Sequence, residues 1–217
     1  MEKEVVKILD IINQSDTSIQ SFRISADLFA IRQFLKEIPA TKEFIFNEKL
    51  KSTIGKLLGH YYFVVKSIYS DKLETSNLFV SYHQDLTISV DKKLEIENFG
   101  PWTLKHNQFA VQPPINILET NFTIRIYLDD TNEYNGALRV VPRSHLKKIY
   151  RPETINWSKE KEVICNVKKG GIMIMKPLIL HSSRRTTNNK KRRIIHIEIS
   201  NQELPTGLKW SERMNLQ

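Results

Sequence analysis

Apolar residues recur at helical spacing through the first sixty positions and at strand spacing after them. In SADLFAIRQFLKEIP, residues 25–39, Leu28, Ile31, Phe34, Leu35 and Ile38 fall on one helical face, with Ser25 as N-cap and Pro39 as stop. In NEKLKSTIGKLLG, residues 47–59, Asn47 caps, Leu50, Ile54, Leu57 and Leu58 form the stripe, and Gly59 suits the end. These stripes read as packing surfaces. From residue 61 the texture turns β-branched and aromatic, in YYFVVKSIY, NLFVSYHQDLTISV, NFTIRIYLDD, ALRVVP, KEVICNV, IMIM and RRIIHIEIS. Short strands punctuated by Asn, Gly and Pro predict a β-sandwich or barrel with helices against one sheet. The stretch from about 91 to 120, with Pro101, Pro113 and Pro114, reads as irregular, and long loops of that kind are often lids. The expected organisation is one domain over 1–217: a helical support region over 1–60, a β core over 61–200 and a C-terminal tail over 201–217.

One strand breaks the apolar pattern. In SYHQDLTISV, residues 81–90, His83 and Asp85 stand two apart, so on an extended strand both project to one side and reach a single ion, while Gln84 points elsewhere. A second histidine would complete the two-histidine, one-carboxylate triad that leaves open positions on Fe(II). Of six histidines, His60 follows a helix stop, His106 lies in the irregular stretch, His145 ends the turn PRSH and His196 sits on the last strand. His181 closes the apolar run IMIMKPLILH and opens a polar segment, a position both rigid and accessible, and is the chosen third ligand.

Charge adds a competing picture. Lys and Arg number 33 against 24 Asp and Glu, a net +9, which invites a nucleic-acid partner. Much of the excess sits in HSSRRTTNNKKRR, however, and a single basic loop is more often a solvated surface or an anion site, so nucleic acid is not the expected partner. Cys165 is alone, so no intrachain disulfide forms, and with no secretory-type or membrane-spanning apolar run the expected location is the cytoplasm. Nothing in the sequence speaks to oligomeric state.

Three segments in order carry a resemblance to a known family. DKLETSNLFVSYHQDLT, RIYLDDTNEYNGALRVVPRSH and LILHSSRRTTNNKKRR together resemble the phytanoyl-CoA dioxygenase family of Fe(II)- and 2-oxoglutarate-dependent oxygenases. The resemblance implies a double-stranded β-helix, or jelly roll, backed by N-terminal helices. It implies His83, Asp85 and His181 as iron ligands and Arg192, eleven after His181, as the partner of the distal carboxylate of 2-oxoglutarate, with Ser183 beside it. Arg193 is chemically equal, but strand alternation groups Arg192 with Ile194, His196 and Glu198 and leaves Arg193 among isoleucines, so Arg192 is expected in the site. Gln84 is expected at the rim or just behind the ligands, near the cosubstrate. Arg125 shares a face with Thr123 and Tyr127, and lies beside cosubstrate or substrate if that face is inward. Trp102 either closes over the site or anchors its loop. The implied reaction is hydroxylation of a small, anionic molecule with O2, releasing succinate and CO2; a carboxylate at position 85 favours hydroxylation over halogenation. Arg184, Arg185, Lys190 and Lys191 are candidate rim charges. Arg143 stands where the family commonly has Gly, and Gly170-Gly171 where it has Gly-Asp. The competing readings are a nucleic-acid oxidative demethylase and a non-catalytic, basic jelly-roll binding module.

Overall fold

The structure is a computed structural model that describes residues 2–15, 22–24, 28–72, 79–105 and 107–216; Ser25 and His106 lie outside the described residues. The helices are α1 (Glu2–Asn13), α2 (Phe34–Glu37), α3 (Lys42–Ile45), α4 (Glu48–Leu58) and α5 (Ile115–Thr120). The strands are β1 (Phe22–Ile24), β2 (Leu28–Arg32), β3 (Phe63–Lys72), β4 (Val80–His83), β5 (Ile88–Val90), β6 (Trp102–Lys105) and β7 (Gln108–Val111). They continue as β8 (Phe122–Tyr127), β9 (Leu138–Val140), β10 (Val163–Cys165), β11 (Ile172–Met175), β12 (His181–Ser183), β13 (Arg192–Ser200) and β14 (Met214–Asn215). All pair antiparallel, in three sheets: β1-β2-β3-β13-β8-β11 with β14 also on β3, β10-β9-β12-β4, and β5-β7-β6. This mainly β, helix-backed arrangement is the expected double-stranded β-helix.

The long central strand explains both sides of the large sheet. Residues directly opposite in an antiparallel pair share a face. Arg192 faces Lys72, His196 faces Ile68 and Arg125, and Glu198 faces Lys66 and Thr123, so this inner side of the sheet is polar. Ile195, Ile197 and Ile199 alternate to the outer side, where they join Ile124, Ile126, Val64 and Tyr69 against Val5 and Ile8 of α1, Phe34 and Leu35 of α2, and Leu50 and Ile54 of α4. Burying an isoleucine in such a core stabilises by about 1.5–3 kcal/mol each, which fixes which side of β13 can be polar. The inner side is closed by Leu138 and Val140 of β9, packed with Met173 and Met175 of β11.

Two sequence expectations are corrected. Residues 28–32 form a strand on the edge of β3, not the middle of a helix over 25–39, and helix appears only over Phe34–Glu37. Ile31, Phe34, Leu35 and Ile38 are buried as a helical stripe would be, with Ile31 opposite Tyr69. Pairing with an open sheet edge satisfies the backbone and overrides the local periodicity; Gln33, at φ 51°, makes the change of direction. The stretch from 91 to 120 is also more ordered than expected, holding the β6-β7 hairpin and α5. Trp102 packs there against the cluster of Val90, Val111 and Trp210, so it anchors its segment.

Residues 201–216 are tied to the core. Trp210 is buried and donates from Nε1 to the Gln202 carbonyl at 2.9 Å. On the β3 edge between β2 and β14, Glu212 accepts from the Ser67 N–H at 3.0 Å and from the Ser67 hydroxyl at 2.5 Å. Burial outweighs these bonds and pushes the Glu212 carboxyl up to about 7. A carboxyl raised above its ordinary value of 4.5 costs stability as pH rises from about 4.5 to 7 and continues to cost it above. Glu212→Gln is therefore expected to melt higher than wild type at pH 8, by roughly 1–3 kcal/mol, and to lose that advantage below pH 4.5; thermal melts at both ends of the range check it, and an advantage independent of pH rejects the assignment.

Candidate metal centre

The β4-β12 ladder sets His83 opposite His181, and the two imidazole rings lie 4.2 Å apart between centroids. Asp85 follows β4, held by its N–H donating to the Pro177 carbonyl at 3.0 Å. Its two oxygens lie 3.7 Å from His83 Nε2 and 3.6 Å from His181 Nε2. One ligand atom from each of the three residues lies within 4.8 Å of the others, spacing that an ion about 2 Å from each donor bridges. Among the described residues no other such group occurs.

The outer contacts fit a divalent ion. His83 Nδ1 lies 2.9 Å from the Ser81 carbonyl and His181 Nδ1 2.8 Å from the Ile179 carbonyl. A carbonyl only accepts, so each Nδ1 carries the proton and each Nε2 offers a lone pair toward Asp85, the arrangement metal-binding histidines use. Burial first, with help from nearby His83, outweighs Asp85 and holds His181 down to about 4, so its imidazole is neutral and free to ligate at neutral pH. The segment before His181 is clamped at several points. The Leu180 N–H donates to buried Ser144 Oγ at 2.8 Å, and its carbonyl accepts from the Val141 N–H at 3.0 Å. Arg143, just before Ser144, holds φ 66°, a left-handed conformation that glycine takes without strain.

The Gln84 side chain bonds to backbone. Its amide donates to the Lys148 carbonyl at 2.8 Å and the Leu178 carbonyl at 2.5 Å, and its oxygen accepts from the Tyr150 N–H at 2.8 Å. Both amide hydrogens and the oxygen serve backbone, so Gln84 positions the strands around the site and has no donor left for a cosubstrate.

A second polar cluster lies at the other end of β12. Arg192 is buried and donates to the Gly136 carbonyl at 2.6 Å, which also accepts from Ser183 Oγ at 2.9 Å. Arg192 Nε is buried without a partner, the feature expected where a carboxylate binds. Burial, then the Arg125 charge, pulls the guanidinium down to about 10, which still leaves it charged at neutral pH. Arg193 lies on the opposite face, with its backbone N–H, Nε and a terminal nitrogen all on Asp129 at 2.6–2.9 Å. Gly136, at φ 82°, admits no side chain: a Cβ would lie 2.8 Å from the Arg184 carbonyl and 2.9 Å from Lys72 Nζ. Lys72, fully buried opposite Arg192 and donating to the Arg184 carbonyl at 2.7 Å, was not foreseen; its only sequence signal is its place on the polar face of β3. The exposed residues Arg184, Arg185, Lys190 and Lys191 belong to the loop joining Ser183 to Arg192, at this end of the sandwich.

Arg125 lies on the inner side of β8, opposite Met173 and His196. Farther along β13, Glu198 accepts from Lys66 at 2.7 Å and lies 3.1 Å from His196 Nε2. Burial opposes ionisation of Glu198, but Lys66 and His196 outweigh it and hold the carboxyl down to about 2. His145 lies in a short helical turn and is not among the three grouped ligands. No helix among the described residues is long and apolar enough to cross a membrane.

Comparison with known proteins agrees with this geometry. Several solved structures share the fold. The nogalamycin-biosynthesis enzyme SnoK, described as a non-heme alpha ketoglutarate dependent carbocyclase, superposes with a TM-score of 0.63 at 14% identity, over 92% of this chain and 76% of its own. The epimerase SnoN from the same biosynthesis gives 0.64 at 13% identity, over 99% and 89%. HygX from Streptomyces hygroscopicus, solved with nickel, 2-oxoglutarate and hygromycin B bound, gives 0.60 at 14% identity, over 91% and 78%. No curated protein matches the chain by sequence. A family profile for phytanoyl-CoA dioxygenase (PhyH) does match, over residues 25–194. The chain belongs to the phytanoyl-CoA dioxygenase family of Fe(II)- and 2-oxoglutarate-dependent oxygenases.

Proposed function

We propose that this oxygenase hydroxylates a small molecule, with His83, Asp85 and His181 holding Fe(II) and Arg192 with Ser183 holding the distal carboxylate of 2-oxoglutarate. The observation that carries the reading is the pairing of two features on one short strand. His181 meets His83 and Asp85 at the start of β12, and Ser183, two residues on, meets Arg192 at its end. A five-carbon dicarboxylate chelated at the first place extends naturally toward the second.

When bound, the iron supplies the oxidising chemistry, activating O2 as 2-oxoglutarate is converted to succinate and CO2. The protein supplies geometry. His83, Asp85 and His181 would hold the ion and leave positions for cosubstrate and O2. Arg192 binds a carboxylate through a rigid fork, and its unpartnered Nε is an available donor. A carboxylate at position 85 fills the place where a halide would need room, which favours hydroxylation. Structural neighbours described as a carbocyclase and an epimerase mark the outcomes that compete with it.

The test is anaerobic reconstitution with Fe(II) and 2-oxoglutarate, followed by the visible charge-transfer band of the chelate and, after O2 is admitted, by succinate. Wild type is expected to give both and His181→Ala neither; succinate formed by a folded His181→Ala protein rejects the ligand set. Asp85→Gly is expected to abolish hydroxylation of any substrate found by screening. Arg192→Met is expected to weaken 2-oxoglutarate binding by roughly 10–100-fold, and Ser183→Ala by only a few-fold. Equal affinity in Arg192→Met and wild type, measured by titrating the band, places the distal carboxylate elsewhere.

A further inference from the structure

We infer that Arg125 is a carboxylate site for the molecule to be oxidised, distinct from Arg192, so that the substrate is a small carboxylic acid with an apolar body. This rests on the oxygenase reading above. Arg125 is on the inner side of the large sheet by two independent registers, opposite His196 on β13 and Met173 on β11. Its Nε is buried without a hydrogen-bond partner, and among the described residues no carboxylate pairs with the guanidinium. Met173, opposite Arg125 on β11, packs with Leu138 and Val140 of β9 and Cys165 of β10, which places Arg125 on the side of the large sheet that faces those strands. A buried guanidinium nitrogen without a partner carries a desolvation cost. An incoming anion removes that cost.

The surroundings define the rest of the ligand. Met173 and Met175 from β11, Leu138 and Val140 from β9, and Cys165 and Ile179 make an apolar lining on this side. The sheet order β10-β9-β12-β4 puts Cys165 on the strand farthest from His83, and Met173, opposite Arg125, packs with Cys165 and Val140, so Arg125 lies toward the β9-β10 side of the interior. Cosubstrate chelated at the ligands and held by Arg192 leaves this flank for a second molecule. A carboxylate on Arg125 would lay an aliphatic or aromatic body along the methionines, beside the metal.

The experiment uses the full chain loaded anaerobically with Fe(II) and 2-oxoglutarate, melted in the presence of straight-chain monocarboxylic acids from acetate to octanoate, each against its amide. At least one acid is expected to raise the melting temperature where its amide does not, and Arg125→Met to weaken that acid by roughly tenfold or more while leaving the charge-transfer band and 2-oxoglutarate affinity in place. Arg125→Lys should recover part of the effect. Without ligands, Arg125→Met is expected to melt no lower than wild type, because its buried Nε has no partner to lose; a fall of several degrees would mark Arg125 as structural and overturn the inference. So would acid and amide acting alike, no acid shifting the wild type, or an acid effect that survives in Arg125→Met. Loss of 2-oxoglutarate affinity with the acid effect intact would assign Arg125 to the cosubstrate, which also overturns it. If wild type gives no charge-transfer band, the oxygenase reading fails, and the acid-against-amide comparison on metal-free protein still decides whether Arg125 binds a carboxylate.

Discussion

The antiparallel pairing of β4 with β12 places His181 opposite His83, and the rest of the centre follows from that register. Side chains alternate with a period of two, so a slip of one residue on either strand would turn an imidazole to the outer face and leave no triad. The structure resists such a slip through backbone bonds on both sides of the ladder. Ser144 and Val141 hold Leu180, the Pro177 carbonyl holds Asp85, and Gln84 ties Leu178 to Lys148 and Tyr150. These are bonds to backbone from buried groups, so losing one leaves an unsatisfied partner, a larger penalty than the net worth of the bond itself.

The large sheet divides its work by face. Isoleucines of β13 pack with α1, α2 and α4 on one side, and the same strand presents Arg192, His196 and Glu198 on the other. Packing on the outer side supplies the stability that charges on the inner side require. Glu198 is matched by Lys66 at 2.7 Å and by His196, so its burial is compensated within the protein. Arg193 is matched by Asp129 on the outer side.

How much of this was legible follows from the range of each interaction. The spacing of His83 and Asp85, the position of His181 at the end of an apolar run and the alternation that separates Arg192 from Arg193 are local properties of strands, and each reads directly from the sequence. The helix expected over 25–39 failed because the open edge of β3, remote in sequence, competes for Leu28–Arg32 and wins. Gln84 looked like a site residue because it lies between two ligands; its three backbone partners, Lys148, Tyr150 and Leu178, come from segments that no local pattern connects to it. Lys72 was passed over for the same reason, since only the β3-β13 register brings it opposite Arg192. The C-terminal residues read as a tail because nothing near Glu212 in sequence announces that its carboxylate bonds Ser67 on the β3 edge.

Against that background the two inner guanidiniums near the ligands differ from Lys66, Arg193 and Glu198, each of which has an oppositely charged partner. Arg192 has one carbonyl and an idle Nε, and Arg125 has an idle Nε and no paired carboxylate among the described residues. The Arg125 charge also helps pull Arg192 down, after burial, so the two guanidiniums act within electrostatic reach of one another. A fold selected for stability alone would remove one of them or supply an acid, as it does for Lys66 and Arg193. Retaining both is the kind of local strain that persists where binding relieves it. Two carboxylates, one from the cosubstrate at Arg192 and one from the substrate at Arg125, would neutralise the pair together and place a bound C–H bond between them, beside the ligand triad.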